Sequence, residues 1–299
     1  MLKKTGIVFL ALVSSQVYAS EAGINLLVKM NDALHRMNYS GTLVHIKGND
    51  VNTLHVTHEL KNGVATETVN SLNGENKSVS SQTQTFSLAK VPKSVESMRE
   101  VYSLDVGAMK KVAMRGCQVM IARPKDKMRY LQKYCIDIET GLPLDYSLID
   151  NTHKMVERFT FTNVNISEPH SEVLAEADLA STSAPPQTLI EGHSHESGNW
   201  TITELPKGFS FGKLPLSQAS EVNMGADTEH LLLTDGLSSV SIFISPIATA
   251  QPKVASTINS GALNVLTSQK NSHRITLVGE IPRSTMQTIF DNLEHRGGN

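Results

Sequence analysis

The chain has 299 residues, with 27 lysines and arginines against 29 aspartates and glutamates, 39% apolar residues and two cysteines. A net charge of −2 and a pI near 6.6 give no global electrostatic reason to bind nucleic acid. The length suffices for one large domain or two ordinary ones, each with its own core.

Lys3 and Lys4 precede the apolar run Gly6 to Val13, and Val17-Tyr18-Ala19 follows a short polar stretch. This order reads as a secretory signal over residues 1–19, cut after Ala19. The run is too short to span a bilayer as a mature helix, and no cysteine stands at the cut site to take a lipid. The exported chain is expected to be soluble, in an oxidising compartment where disulfides persist.

Leu27, Met30, Leu34 and Met37 then fall on one face of a helix over 24–37. Residues 39–46 (YSGTLVHI) and 53–60 (TLHVTHEL) read as strands around the turn Gly48-Asn49-Asp50. Residues 65–72 and 77–89 read as further strands. Pro92 opens a helix with Val95, Met98 and Tyr102 on one side.

Both cysteines lie in CQVMIARPKDKMRYLQKYC, residues 117–135. The stretch reads as strands 117–122 and 128–135 around a polar turn. A three-residue loop, Lys125 to Lys127, sets Cys117 opposite Cys135 at a Cα separation a disulfide can bridge. Such a bond stabilises by roughly 3 kcal/mol in the chain-entropy model. The same register faces Arg123 with Arg129, an unfavourable like-charge pair. For an exported protein the disulfide is the preferred reading and two separate buried thiols the alternative. Without a Cys-x-x-Cys motif the pair is a staple rather than a redox centre.

Residues 143–149 and 155–166 continue the strands around a turn at Asp150-Asn151. The order of hairpins suggests a largely antiparallel sheet with helices on one side. From 168 to 199 the periodicity fails, and Pro185-Pro186 and His193-Ser194-His195 mark a linker. Beyond it, 200–205 reads as a strand and 205–209 as a turn. Asp235-Gly236 is a hairpin signal between strands 229–234 and 237–245. Residues 274–279 form another strand. Pro282 starts a last helix with Met286, Ile289, Phe290 and Leu293 on one face.

Chemistry-bearing motifs are weak. Gly208-Phe209-Ser210-Phe211-Gly212 has the nucleophile-elbow pattern, but Pro206 and Pro215 leave no room for the strand and helix an elbow needs. His193 and His195 beside Glu191 and Glu196 lack further metal-ligand spacing. His55 and His58 point to opposite faces of one strand, and His45 is expected across from His55 as a half-buried pair. No catalytic residue, cofactor or metal is expected.

Several stretches together resemble one family: Tyr39 to Val44 (YSGTLV), Thr53 to His58 (TLHVTH), Ser71 to Gly74 (SLNG), Arg115 to Val119 (RGCQV), Arg129-Tyr130, Asp137 to Leu144 (DIETGLPL), Leu205 to Phe209 (LPKGF), Thr234 to Ser241 (TDGLSSVS) and Val278 to Pro282 (VGEIP). In order and spacing they are similar to the RseB/MucB family of periplasmic regulators of the envelope-stress sigma factor. The resemblance covers nearly the whole exported chain.

It implies an α+β fold. Residues 20–167 would form an open antiparallel β-barrel with helices, like the lipoprotein carriers, with an apolar interior that can take acyl chains. Residues 168–199 would be the linker, and 200–299 a smaller mixed α/β domain. It further implies a periplasmic location and a partner, the periplasmic part of a membrane anti-sigma factor, shielded from the first protease of a cascade. Lipid or lipopolysaccharide would release it. A periplasmic lipid or lipoprotein carrier is the alternative, and a homo-oligomer is left open. For the partner surface we single out the small domain and linker, with Lys207, Lys213 and Arg283 as charge contacts.

Overall fold

The computed structural model describes residues 15–61, 64–73, 95–168, 199–212, 228–247 and 256–296. The first helix, α1 (Ser15–Arg36), is followed by strands β1 (Asn38–Lys47), β2 (Asp50–Lys61) and β3 (Val64–Ser71). Then come α2 (Val95–Val101), β4 (Tyr102–Val112), β5 (Arg115–Pro124), β6 (Leu131–Asp137), β7 (Pro143–Ile149) and β8 (Met155–Ser167). These eight strands form one antiparallel sheet in the order β3-β2-β1-β8-β7-β6-β5-β4. Its two ends, β3 and β4, do not pair with each other, so the sheet is open rather than a closed barrel.

The sheet holds its shape by burying α1. Leu27, Met30 and Leu34 pack with Met98, Tyr102, Leu104, Met120, Tyr134 and Ile136, the set that the 3.6-residue spacing of α1 presents to one side. Gly23 lets the helix approach β4, since a Cβ there would stand 2.7 Å from that of Leu104. Gly141, at φ +89°, closes the β6–β7 turn with its N–H on Asp137 O. A side chain at that position would meet the backbone of Lys29.

The second half of the chain adds β9 (Trp200–Ile202), β10 (Ser210–Phe211), β11 (Glu229–Thr234), β12 (Ser239–Pro246), β13 (Ser256–Ser260), β14 (Leu263–Lys270) and β15 (His273–Gly279). Helix α3 (Arg283–Asp291) and β16 (Leu293–His295) complete it. A six-stranded sheet, β10-β11-β12-β15-β14-β13, stands beside the two-stranded ribbon β16-β9. Every described pairing is antiparallel. Met286 and Ile289 of α3 pack with Trp200, Val240, Ile242, Ile275 and Leu277 in one core. Leu293, expected on the helix, is instead the first residue of β16.

Several expectations need correction. Strand β6 starts at Leu131, not at Met128, so the β5–β6 register is displaced: Cys117 faces Asp137, and Cys135 faces Val119. The disulfide nevertheless forms, with a Cα–Cα distance of 5.3 Å. A displacement by two residues keeps both sulfurs on the same face. Arg123 faces Ser103 across β4, and Arg129 lies outside the strands, so the like-charge pair never arises. Tyr102 opens β4 instead of extending the preceding helix. Strands β4, β10, β13, β14 and β16 do not appear in the sequence reading. The expected strand 77–89, His193 and His195 lie outside the described residues.

Candidate functional site

An apolar cleft lies between α1 and the large sheet. Leu34 of α1, Tyr39 and Leu43 of β1, Val56 of β2, Tyr134 of β6, Leu142, Leu144 and Tyr146 around β7, and Phe159 and Phe161 of β8 line it. Alternation along each strand turns these residues to one side. The aromatic rings run in a row: Tyr134 stacks on Tyr146 at 4.8 Å, and Phe159 lies 6.3 Å beyond. The other face of Phe159 carries His45 at 4.2 Å. The open space is about 40 Å³, room for a few waters but not for an acyl chain unless the walls move.

The rim at β3 is polar. Glu67 faces His58 across the β2–β3 ladder, and His58 stacks on Tyr39 at 5.0 Å. Burial raises the Glu67 carboxyl to about 7. Its Oε1 is buried without a hydrogen-bond partner among the described residues. The Tyr39 hydroxyl is pushed up, first by burial and then by the Glu67 charge.

A second feature joins the two sheets. The β11–β12 loop, residues 235–238, docks onto the large sheet around Arg129. The Arg129 side chain is wholly buried, with Nε 2.7 Å from Asp235 Oδ2 and Nη1 2.6 Å from Asp126 Oδ2. Its Nη2 donates to Lys207 O at 2.6 Å. The guanidinium lies over the rings of Tyr102 and Phe209, at 5.5 and 5.0 Å. Tyr102 donates to Asp235 Oδ2 at 2.9 Å, while Asp235 Oδ1 accepts from the N–H groups of Leu237 and Ser238. One carboxylate thus shapes its own loop and pairs a cation from the other sheet. Gly208, at φ +81°, completes the fit, because a Cβ there would sit 2.6 Å from Val101 Cγ1.

Leu237 enters the core of the large sheet beside Tyr134 and Met30. Gln132 donates from Nε2 to Leu237 O and to Ser238 Oγ, both at 3.1 Å, and its Oε1 accepts from the Tyr134 hydroxyl. A hydrogen-bonded path therefore runs from the cleft wall to the docked loop. A second loop adds its own contacts. The N–H of Ala262 donates to Glu157 Oε2 at 2.9 Å, and Glu157 Oε1 is 2.6 Å from His45 Nε2. Asn264 donates to the Tyr130 hydroxyl at 3.0 Å, and Thr285 to Met128 O at 2.7 Å.

The residues singled out from sequence fall elsewhere. Lys207 is exposed and gives its carbonyl, not its ammonium, to the junction. Arg283 is exposed at the start of α3 and donates to Thr257 Oγ1 at 2.7 Å. Lys213 lies outside the described residues. Ser210 is exposed in the two-residue edge strand β10, facing Thr234, which is no elbow geometry. His45 faces Asn52 rather than His55 and is taken by Glu157, so the expected histidine pair does not form. Arg129, Asp235, Tyr102 and Gln132 were missed as a group. The Asp235-Gly236 turn and the family stretches Arg129-Tyr130 and Thr234 to Ser241 were the signals available for them.

Among the described residues the fold is β-rich, two larger sheets and a two-stranded ribbon, with an apolar cleft against the first sheet. The model of the MucB/RseB N-terminal domain matches residues 22–90 and 79–188, and that of the MucB/RseB C-terminal domain matches 194–294. The chain belongs to the MucB/RseB family.

Among curated relatives, the sigma-E factor regulatory protein RseB of Escherichia coli K12 is 28% identical over 190 residues, 62% of this chain. The sigma factor AlgU regulatory protein MucB of Pseudomonas aeruginosa is 27% identical over 191 residues, 63% of this chain. The chain spans 56% and 59% of the lengths of these two relatives. MucB in the solved complex of Pseudomonas aeruginosa MucA and MucB superposes with a TM-score of 0.66 at 22% identity, covering 93% of this chain and 100% of that one. That likeness speaks to the fold.

Proposed function

We propose that this protein is an exported, periplasmic negative regulator of an envelope-stress sigma factor. It binds the periplasmic part of a membrane anti-sigma factor and keeps it from the first cut of a proteolytic cascade. The observation that carries this reading is the match of both family domains over 22–188 and 194–294, in a family whose relatives are named as sigma-factor regulators. Signal peptide 1–19, cleft domain 20–167, linker 168–199 and small domain 200–299 are the organisation we adopt. Lys207, Lys213 and Arg283 stay as candidate partner contacts.

Protection needs no catalytic group. Bound partner is hidden from the protease and free partner is cut, so occupancy sets the rate. Release needs a ligand that prefers a state unable to hold the partner. The cleft supports an acyl chain of lipid or lipopolysaccharide in that role. A chain too long for the open space would press on Tyr134, one wall of the cleft, whose hydroxyl is tied through Gln132 to the docked loop at Leu237 and Ser238.

The test is a protection assay on the periplasmic segment of the partner with its site-1 protease, with and without lipopolysaccharide. Slowed cutting that lipopolysaccharide restores is expected. Unchanged cutting, with the regulator present in excess, overturns the reading. The apolar cleft also suits a lipid carrier, and transfer of a labelled acyl donor between vesicles would favour that alternative.

A further inference from the structure

The β4–β5 hairpin ends in a two-residue turn, Ala113-Met114, with Val112 facing Arg115 across it. Both turn residues have positive φ, 49° and 64°. Tight hairpins need this conformation at both central positions, which is why Asn-Gly is the usual choice. Alanine and methionine adopt it at a conformational cost. The β14–β15 turn of this chain is built the same way at φ 48° and 58°, but with Asn271-Ser272, which are polar. Hairpin geometry therefore gives no reason for a methionine at 114.

That methionine is 81% exposed, the largest value among the exposed apolar side chains, and Met109 on the same hairpin is 62% exposed. Ile138, 46% exposed, lies over Gly116 beside the tip. Four cations surround this apolar group: Lys29, Lys110, Lys111 and Arg115. Arg115 is committed to Asp137 and Glu139, and Lys29 Nζ donates to Ile138 O. Lys110 and Lys111 are exposed and, among the described residues, unpaired. Adjacent on a strand, they point to opposite faces, so each side of the hairpin carries a lysine a few residues behind the tip. Four cations against two carboxylates leave a local excess of two positive charges.

We propose that this hairpin tip is a membrane-surface anchor. Met114 and Met109 enter the interface of an anionic bilayer, and Lys110 and Lys111 reach its phosphates. A bilayer fits better than a protein surface for two reasons. The feature projects and is only a few side chains wide, well below the area of a specific protein interface. Long lysine stems behind an apolar point match the depth profile of a lipid interface, with carbon inside and ammonium at the headgroups. The proposal is independent of partner protection and goes beyond it.

The experiment is co-sedimentation of the exported form, from Ser20 onward so that the apolar leader does not bind lipid itself. Vesicles of phosphatidylglycerol mixed with phosphatidylcholine are compared with pure phosphatidylcholine, at low and high salt. Binding to the anionic vesicles that weakens with salt is expected. Each lysine near such a surface is worth roughly a fivefold change in partition, so Lys110→Gln with Lys111→Gln should lower it about 25-fold. Ala113→Asn with Met114→Gly restores the usual turn chemistry, so it should raise the melting temperature while lowering vesicle binding. Loss of binding in that variant cannot then be unfolding. Equal binding by parent and variants, or none by the parent, overturns the proposal. So does a Met114→Asp protein that fails to capture the anti-sigma segment while the parent ignores vesicles, since the tip would then be a protein contact.

Discussion

Replacing Asp235 by alanine tests whether the junction, rather than the chain connection, holds the two sheets together. The substitution leaves the wholly buried Arg129 guanidinium without its buried partner. It also removes the acceptor of two loop N–H groups and of the Tyr102 hydroxyl. Breaking a buried pair from one side typically costs about 3–5 kcal/mol. Arg129 keeps Asp126 and Lys207 O, so we expect the lower end, about 3 kcal/mol. The chain provides its own reporter: its single tryptophan, Trp200, is buried in the small core. Urea unfolding followed by Trp200 fluorescence and by far-ultraviolet circular dichroism should coincide for the parent. In Asp235→Ala the Trp200 transition should move down by about 1–2 M urea and separate from the dichroism of the large sheet. Asp235→Asn, which keeps the Oδ1 acceptor, should fall between. A Trp200 midpoint equal to that of the parent, or two transitions that move together, would refute the reasoning.

Further outcomes follow from the same geometry. Cys117→Ser with Cys135→Ser should lower stability by roughly 3 kcal/mol, read as a drop in melting temperature that reductant reproduces in the parent. The Glu67 carboxyl is raised to about 7 by burial, so the folded state holds a proton that the unfolded chain has released. The Glu67 contribution to stability should then fall as pH rises from the ordinary glutamate range to about 7 and level off above it, against an opposite contribution from His230, which burial lowers to about 4. Glu67→Gln should remove its own part of that slope, leaving the part due to Glu280, whose carboxyl burial likewise raises to about 7, and should add about 1–2 kcal/mol at high pH, once solvent screening at the sheet edge is counted. Leu43→Phe fills the cleft and should abolish uptake of a fluorescent fatty acid while leaving partner protection in place. Loss of both together would mean that the cleft is not a separate ligand site.

Periodicity reported what local chemistry determines. The apolar face of α1 at Leu27, Met30 and Leu34, the hairpin β1–β2 around Gly48-Asn49-Asp50 and the helix after Pro282 were all readable. The cysteines were readable as a pair because any even displacement of the ladder keeps them on one face. The exact register was not, since Arg129 looked like a strand residue until its pairing with Asp126 and Asp235 took it out of the ladder. Strand β4 hid because its outer half, Val106 to Lys111, is exposed throughout and lacks alternation. The junction was illegible for a different reason: Arg129 and Asp235 are more than a hundred residues apart, and an isolated charge carries no mark of its partner.

That junction bears on how the proposed release would work. Residues 168–199 read as a linker, which allows two domains to rearrange. The structure instead places Leu237 in the core of the large sheet, Arg129 against Asp235 with neither side chain exposed, and Glu157 on the backbone of Ala262. Parting exposes Leu237, strands a guanidinium and leaves the Glu157 and Gln132 partners to water, a cost of several kcal/mol on the magnitudes above. A ligand that drives such a change from one part in a hundred to ninety-nine needs about 5.5 kcal/mol of preference for the parted state. One contact in the cleft cannot provide that, whereas burying a long acyl chain can, at about 0.8 kcal/mol per CH₂ group. Short-chain amphiphiles should therefore enter the cleft without releasing the partner, and release should set in steeply with chain length. A protection assay run across a series of saturated fatty acids would measure this, and a response flat in chain length would locate the switch away from the junction.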